Sequence, residues 1–241
     1  MKNKNVLIAG SSRGIGLEIA REFGLNGARL IINCSKSENE LKLAEKSLRD
    51  YGINVSAVIG DVSDYQDAKA VLDTAKCVGE IDVLVNCAGV SYVGLFTEMT
   101  FDDIDLIIKN NINPAVNMSR LILPSMIRRK AGNIINISSV WGVVGGSCEV
   151  VYSAAKGFLN TFTKALAKEV GPSNIFVNAI ACGIIDTAMN DFLSEEEAAE
   201  LKRRTALMRF GTGYDVAKLC LYLAQTNYMT GQVLTLDGGM N

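Results

Sequence analysis

The 241-residue chain contains no histidine, only three prolines and a single tryptophan. Without histidine there can be no Ser–His–Asp or Cys–His nucleophile pair, no HExxH zinc site and no imidazole proton shuttle. Acid–base chemistry near neutral pH must then use Tyr, Lys, Cys or a carboxylate with a displaced pKa. No charge of one sign dominates: 24 Lys and Arg against 26 Asp and Glu leave a formal charge of −2, which argues against nucleic acid as a partner. No apolar run reaches the roughly 18 to 20 residues of a membrane span, so no membrane partner is expected. Met1-Lys2-Asn3-Lys4 enters a strand directly, without the apolar core of a signal peptide, and is read as the start of a cytoplasmic protein. The cysteines (Cys34, Cys77, Cys87, Cys148, Cys182 and Cys220) form no CxxC pair. They are read as reduced thiols, neither a disulfide frame nor a metal site.

What is present is a regular alternation of short apolar runs and helical patterns. The expected strands are 6–9, 30–32, 55–59, 83–85, 133–137, 176–181 and 233–236. Helical periodicity falls at 15–25, 38–51, 64–78, 101–129 (with Pro114 near a bend), 150–170, 188–205 and 214–224. The strands are β-branched and apolar on both faces, as a parallel sheet covered on both sides requires. The expected fold is α/β: one doubly wound, Rossmann-type parallel sheet of about seven strands, with residues 1–241 forming a single domain. Ligands of such sheets bind outside the carboxyl ends of the strands, so the residues after each strand carry the search for chemistry.

After the first strand comes Gly10-Ser11-Ser12-Arg13-Gly14-Ile15-Gly16, a GxxxGxG turn opening a helix. Glycines there let a pyrophosphate approach backbone N–H groups at the helix N-terminus. Packing of helix on strand would alone also account for such a turn. After the second strand no acid precedes Glu38, whereas an acid binding both ribose hydroxyls is usual for NAD. Arg13 and Lys36, with Ser35, are instead placed to neutralise a 2′-phosphate, which favours NADP(H); the alternative is two ordinary surface cations. Asp61-Val62 is placed to meet the adenine, with a helix cap as Asp61's other reading. Asn86-Cys87-Ala88-Gly89 after the fourth strand allows close backbone contact with a cofactor, and alone is a turn signal.

The most specific feature is Tyr152-Ser153-Ala154-Ala155-Lys156. Residues i and i+4 share a helix face, so the phenol and the ammonium can point into one site. A nearby ammonium favours phenolate and lowers a phenol's pKa. Ser139, thirteen residues before Tyr152, stands where it can hold a substrate carbonyl, with Ser138 as a competitor and an ST-turn as the other reading. Arg128-Arg129-Lys130 is a short basic cluster at a helix end.

With these residues in order, the sequence resembles the short-chain dehydrogenase/reductase superfamily over essentially its whole length. The resemblance implies that Tyr152 is the general acid in reduction and that Ser139 orients the carbonyl. Lys156 would bind the nicotinamide ribose and lower the Tyr152 pKa, and Asn111 would hold a water in the proton relay. Asn110 and Asn113 are close competitors of Asn111. It implies cofactor contacts at Gly183, Ile185 and Thr187, the last with the carboxamide. Cys87 departs from the family's Asn-Asn-Ala-Gly, and Cys182 stands where Pro-Gly is usual, a change expected to loosen that turn. Within the superfamily the chain is most similar to bacterial 3-oxoacyl-acyl carrier protein reductases of fatty acid synthesis. The segment from Ser138 to Val150 also resembles reductases acting on 5-aminopentanone-modified elongation factor P, where Glu149 would meet an ammonium; helix capping is its other reading.

The resulting expectation is an NADPH-dependent ketoreductase, assembled as a homotetramer, with acyl carrier protein drawn to Arg128, Arg129 and Lys130. Residues 188–205, including Met189, Phe192 and Leu193, are read as a lid or as ordinary packing. A non-catalytic NADP-binding regulator on the same fold is the competing class, but it has no need of Asn111, Ser139, Tyr152 and Lys156 together.

Overall fold

Alternating side chains send neighbouring strand residues to opposite layers. In β1 (Asn5–Ala9), Val6 and Ile8 enter one hydrophobic layer and Leu7 and Ala9 the other, all fully buried. The same division runs through β2 (Arg29–Cys34), β4 (Val83–Asn86), β5 (Gly132–Ser139) and β6 (Ile175–Cys182). With β3 (Val55–Ile59) and β7 (Val233–Leu236) they form a parallel sheet of order β3-β2-β1-β4-β5-β6-β7. The computed structural model describes residues 1–190 and 193–240.

The helices are α1 (Gly14–Leu25), α2 (Glu38–Asp50), α3 (Tyr65–Lys76), α4 (Phe101–Arg129), α5 (Trp141–Val144), α6 (Val150–Val170), α7 (Glu195–Arg203) and α8 (Gly213–Gln225). Apolar faces of α1, α2 and α8 bury one side of the sheet, and those of α3, α4 and α6 the other. Hydroxyl and carboxylate caps fix several helix starts. Ser37, Asp64, Thr100, Ser194 and Thr212 each accept backbone N–H groups of the first turn. In α4, Pro114 and Pro124 lie inside one continuous helix. Among the described residues no helix is long and apolar enough to cross a membrane.

The doubly wound parallel sheet is the one expected, and the bounds of β3, α4, α6 and β7 agree with the sequence reading. Three expectations change. Strands β5 and β6 run on to Ser139 and Cys182, so these residues end strands and do not follow them. The pattern at 188–205 is not one helix: a single 3-10 turn at Ala188–Asn190 is separated from α7 by Ser194, whose capping box with Glu197 restarts the chain as a helix. Within it Phe192 lies outside the described residues, and α7 buries none of its residues. Helix α5 was not expected.

Candidate active site

All strands being parallel, their carboxyl ends share one edge, and the order reverses between β1 and β4. The turns after these two strands touch across that switch point. A Cβ on Gly10, whose φ is +75°, would lie 2.6 Å from the Ala88 Cα. A Cβ on Gly16 would run into the Gly10 carbonyl oxygen. Ser11, which the motif left as an unspecified position, is fully buried: its hydroxyl donates to Ile8 O at 2.7 Å and accepts from Asn33 N at 2.9 Å. The Gly-rich turn is thereby tied to β2, leaving a side-chain-free cradle at the start of α1 that fits a pyrophosphate.

Toward β2 and β3, Ser35 and Lys36 are exposed, and Lys36 makes no ion pair among the described residues. Arg13 pairs with Glu40 at 3.6 Å, both side chains being solvated, so the contact contributes little. The cap of α3 is Asp64, not Asp61; Asp61 closes an Asx turn by accepting from Ser63 N at 3.0 Å. Val62 is buried in the core, so only its backbone is offered to a ligand. Asn117 of α4 donates to the carbonyls of Val62 (3.1 Å) and Ser63 (3.2 Å), joining this loop to the helix that carries Asn111.

On the other side of the switch point, Ser139, Tyr152 and Lys156 come together. Ser139 Oγ accepts from Trp141 N at 3.2 Å, and its hydroxyl acts on the Tyr152 phenol, whose pKa it lowers. Ser138 is not an alternative, since its hydroxyl donates to the Lys156 carbonyl at 3.2 Å. Lys156 is buried, donates from Nζ to Ile137 O at 3.2 Å and lies 5.5 Å from the centroid of the Tyr152 ring. Gly142 brings α5 against α6: a Cβ there would lie 2.6 Å from the Lys156 carbonyl carbon, and Asn160 clamps the Gly142 carbonyl at 2.9 Å. Neither the Gly142 contact nor the Asn160 clamp was anticipated, because both join segments distant in the sequence.

Asn111 is separated from its competitors by burial. Asn110 turns back to Leu106 O and Asn113 to Ser63 O, whereas Asn111 donates to Val90 O (2.8 Å) and Ile107 O (2.9 Å). Its Oδ1 is buried with no partner among the described residues. A Cβ on Gly89 would lie 2.6 Å from that oxygen and 3.2 Å from Lys156 Nζ, so the two polar atoms converge on one small space. An acceptor and a donor meeting beside a glycine fit a bound water or a cofactor hydroxyl.

The electrostatics correct one expectation. Burial pushes the Tyr152 phenol well above the ordinary tyrosine value, and the Glu149 carboxylate adds to the rise, although the Ser139 hydrogen bond opposes it. Burial also lowers Lys156, so the ammonium that was expected to favour phenolate is itself disfavoured. The site holds a phenol, not a phenolate. Both departures from the family pattern lie here: burial pushes the Cys87 thiol up to about 11 and Cys182 up to about 12, leaving them neutral.

Cys182 does not leave the turn loose. Val140 N donates to its carbonyl at 2.8 Å, Gly183 N donates to Leu236 O at 2.9 Å, and Gly183 packs so closely on Asp237 that a Cβ would lie 2.6 Å from its Cα. Sheet pairing supplies what a proline would have supplied by fixing φ. Ile185 bridges to Gly211, and Thr187 stands beside the Gly-rich turn, its methyl 3.7 Å from where a Cβ on Gly14 would be. Glu149 also differs from its capping alternative: it occupies the N-cap of α6 with no side-chain cap bond, and burial raises its carboxyl above the ordinary value, with the Trp141 side chain opposing the rise.

Arg128-Arg129-Lys130 lies at the amino edge of the sheet, where α4 hands over to β5, about 26 Å of strand from Ser139. Arg129 is held by Ile81 O, Asp82 and Glu80. Arg128 and Lys130 are exposed beside it. A surface cavity of about 500 Å³ lined by Phe176, Tyr228, Thr230 and Leu234 also opens at that amino edge, away from Tyr152. No group of three or more metal-ligating side chains exists among the described residues.

The family model for short chain dehydrogenase matches residues 4–198. The chain belongs to the short-chain dehydrogenases. The 3-oxoacyl-[acyl-carrier-protein] reductase of Chlamydia muridarum is 40% identical to this short-chain dehydrogenase over 243 residues, covering 99% of this chain and 97% of the relative. A 3-oxoacyl-[acyl-carrier protein] reductase from Brucella melitensis with bound NAD superposes with a TM-score of 0.92 at 32% identity, covering 99% of this chain and 91% of that one. A variant of actinorhodin polyketide ketoreductase with NADPH gives 0.95 at 29% identity, covering 100% and 99%. The protein is an oxidoreductase acting on carbonyl or hydroxyl groups, which disposes of the non-catalytic regulator.

Proposed function

We propose that residues 1–241 work as one NADP-binding catalytic domain that reduces a 3-oxoacyl group carried on acyl carrier protein, with NADPH as reductant. The observation that carries this reading is the convergence of Ser139, Tyr152 and the buried Lys156 at the carboxyl edge, Lys156 Nζ lying 5.5 Å from the Tyr152 ring centroid and the phenol kept protonated by burial. When bound, NADPH supplies the hydride to the carbonyl carbon. The Ser139 hydroxyl, whose oxygen already accepts from Trp141 N, donates to the carbonyl oxygen and fixes its position. Tyr152 then gives its proton to that oxygen. With the cofactor bound, Lys156 and Asn111 would hold its ribose and a water beside Tyr152.

For the cofactor, Gly10, Ser12, Gly14, Ile15 and Gly16 cradle the pyrophosphate, and Arg13, Ser35 and Lys36 take the 2′-phosphate. Asp61 and the Val62 backbone meet the adenine. Asn86, Ala88 and Gly89 line the floor, while Gly183, Ile185 and Thr187 hold the carboxamide. The absence of an acid at the end of β2 supports NADPH over NADH. The homotetramer belongs to the same reading, supported by apolar surface at the β7 edge, where Tyr228 is 97% exposed.

A second reading is favoured by one observation. Glu149 forgoes the helix cap and keeps its carboxylate beside Tyr152, where it fits a ketone bearing an ammonium, as in 5-aminopentanone-modified elongation factor P. Steady-state rates with NADPH and NADH, each with an acetoacetyl thioester and with an amino ketone, decide among these. The main reading expects NADPH and the thioester to give the higher kcat/KM. A preference for the amino ketone, abolished in Glu149→Gln, transfers the assignment to the second reading, and equal use of both cofactors removes the 2′-phosphate argument.

A further inference from the structure

Helix α5 is a single turn that buries none of its residues, with Val143 and Val144 each 54% exposed. A helix this short does not hold itself together, so its anchors must come from outside. The chain leaves α5 at Gly145, whose left-handed φ of +79° ends the helical path. In a continuing helix the Gly146 N–H would donate to the Gly142 carbonyl. Here the two groups are parted, and α6 supplies a partner for each. Asn160 Nδ2 donates to Gly142 O at 2.9 Å, and Ser153 Oγ accepts from Gly146 N at 3.0 Å.

Ser153 and Asn160 lie two turns apart on α6 and so share one face. At the start of α5, Trp141 N donates to Ser139 Oγ at 3.2 Å. The Trp141 ring rests on Gly146, where a Cβ would lie 3.0 Å from it. A path of contacts therefore runs from Ser153 through Gly146 and Trp141 to the Ser139 hydroxyl, and Asn160 grips the same turn at Gly142. With its oxygen accepting from Trp141 N, that hydroxyl has its proton directed elsewhere, toward a carbonyl oxygen.

We propose that Ser153 and Asn160 are positioning residues for ketone reduction. By holding α5 at two points they keep the Trp141 N–H on Ser139 and so aim the Ser139 hydroxyl at the substrate carbonyl. They act through Ser139, not on the reacting atoms. The inference rests on the reading that Ser139 orients the carbonyl. Losing either grip lets the turn shift, and the Ser139 side chain then samples several rotamers where the intact site presents one. The loss falls on the chemical step, because the cofactor cradle at β1 and β2 shares no contact with this turn.

The test is a double-mutant cycle on reduction of a neutral ketone with NADPH. Ser153→Ala and Asn160→Leu should each lower kcat about tenfold while KM and the Kd for NADPH stay within about twofold. Ser153→Thr, which keeps a hydroxyl, should stay within about threefold of the wild type. The deciding arm adds Ser153→Ala to Ser139→Ala. With Ser139 already gone, the second change should cost less than about twofold. An equal cost in both backgrounds, or an undiminished kcat in both Ser153→Ala and Asn160→Leu, overturns the proposal. Trp141 is the only tryptophan, so its emission reports on the turn directly. Its quenching by acrylamide should rise in Ser153→Ala as the ring leaves Gly146, and unchanged quenching also overturns the proposal. Should Ser153→Ala not fold, Asn160→Leu carries the same cycle. Ser139→Ala alone separates the two failures, because an undiminished kcat in that variant sinks the carbonyl-orienting role itself.

Discussion

The two halves of the carboxyl edge are built from different materials. Around β1 to β3 the surface is mostly backbone: Gly10 and Gly16 are glycines because a Cβ would collide with neighbouring main chain, and Ser11 locks the turn from below. Around β4 to β6 it is side chains, with Ser139, Tyr152, Lys156 and Asn111 drawn from three elements and fixed by hydrogen bonds or burial. A backbone cradle recognises an invariant part of a ligand, whereas a side-chain cluster can tune chemistry and choose a substrate. Asn117, reaching from α4 to the Val62 and Ser63 carbonyls, joins the halves.

The sharpest separation comes from Tyr152→Phe. It should lower kcat by about a thousandfold, within the range for losing a positioned acid, while NADPH titration by fluorescence changes little. Loss of binding as well would show that the halves are not separable. Gly16→Ala tests the cradle from the other side. The added methyl meets the Gly10 carbonyl, so NADPH affinity should fall more than about tenfold and the melting temperature by several degrees, at about 1–3 kcal/mol of overpacking. Arg13→Ala with Lys36→Ala should raise the Kd for NADPH by about 10- to 100-fold, the worth of charge-assisted bonds to a phosphate, and leave NADH nearly unchanged. The smallest effect is expected at the amino edge. Arg128→Ala with Lys130→Ala should leave KM for a carrier-borne substrate within about twofold, because this cluster lies a full strand length from the site. A large rise in KM would return carrier docking to that cluster.

Much of this was legible in the sequence because it rests on local signals. Period and composition located β3, α4, α6 and β7 with correct bounds, and the spacing Tyr152 to Lys156 put both groups on one face. What escaped depends on contacts between distant segments. Asp61 and Asp64 are equivalent as caps in sequence, and only the chain path gives the cap to Asp64. Ser138 and Ser139 differ by one strand position, which sends one hydroxyl to the Lys156 backbone and the other to Tyr152. The balance at Tyr152 was misjudged for a similar reason. A lysine four residues away was visible, but the burial that lifts the phenol and weakens the ammonium is a property of the packed site. The replacement at Cys182 was expected to loosen a turn, yet pairing with Ser139 and Leu236 holds it.

The absence of histidine leaves Tyr152 to carry the proton, and the pH dependence of ketone reduction tests this most directly. We expect kcat/KM for a neutral ketone with NADPH to stay level in a scan from about pH 6 to about pH 10, because burial holds the Tyr152 phenol in its protonated form above the ordinary tyrosine range. A limb centred near neutrality that persists in Tyr152→Phe would contradict the account, because the proton would then come from another group.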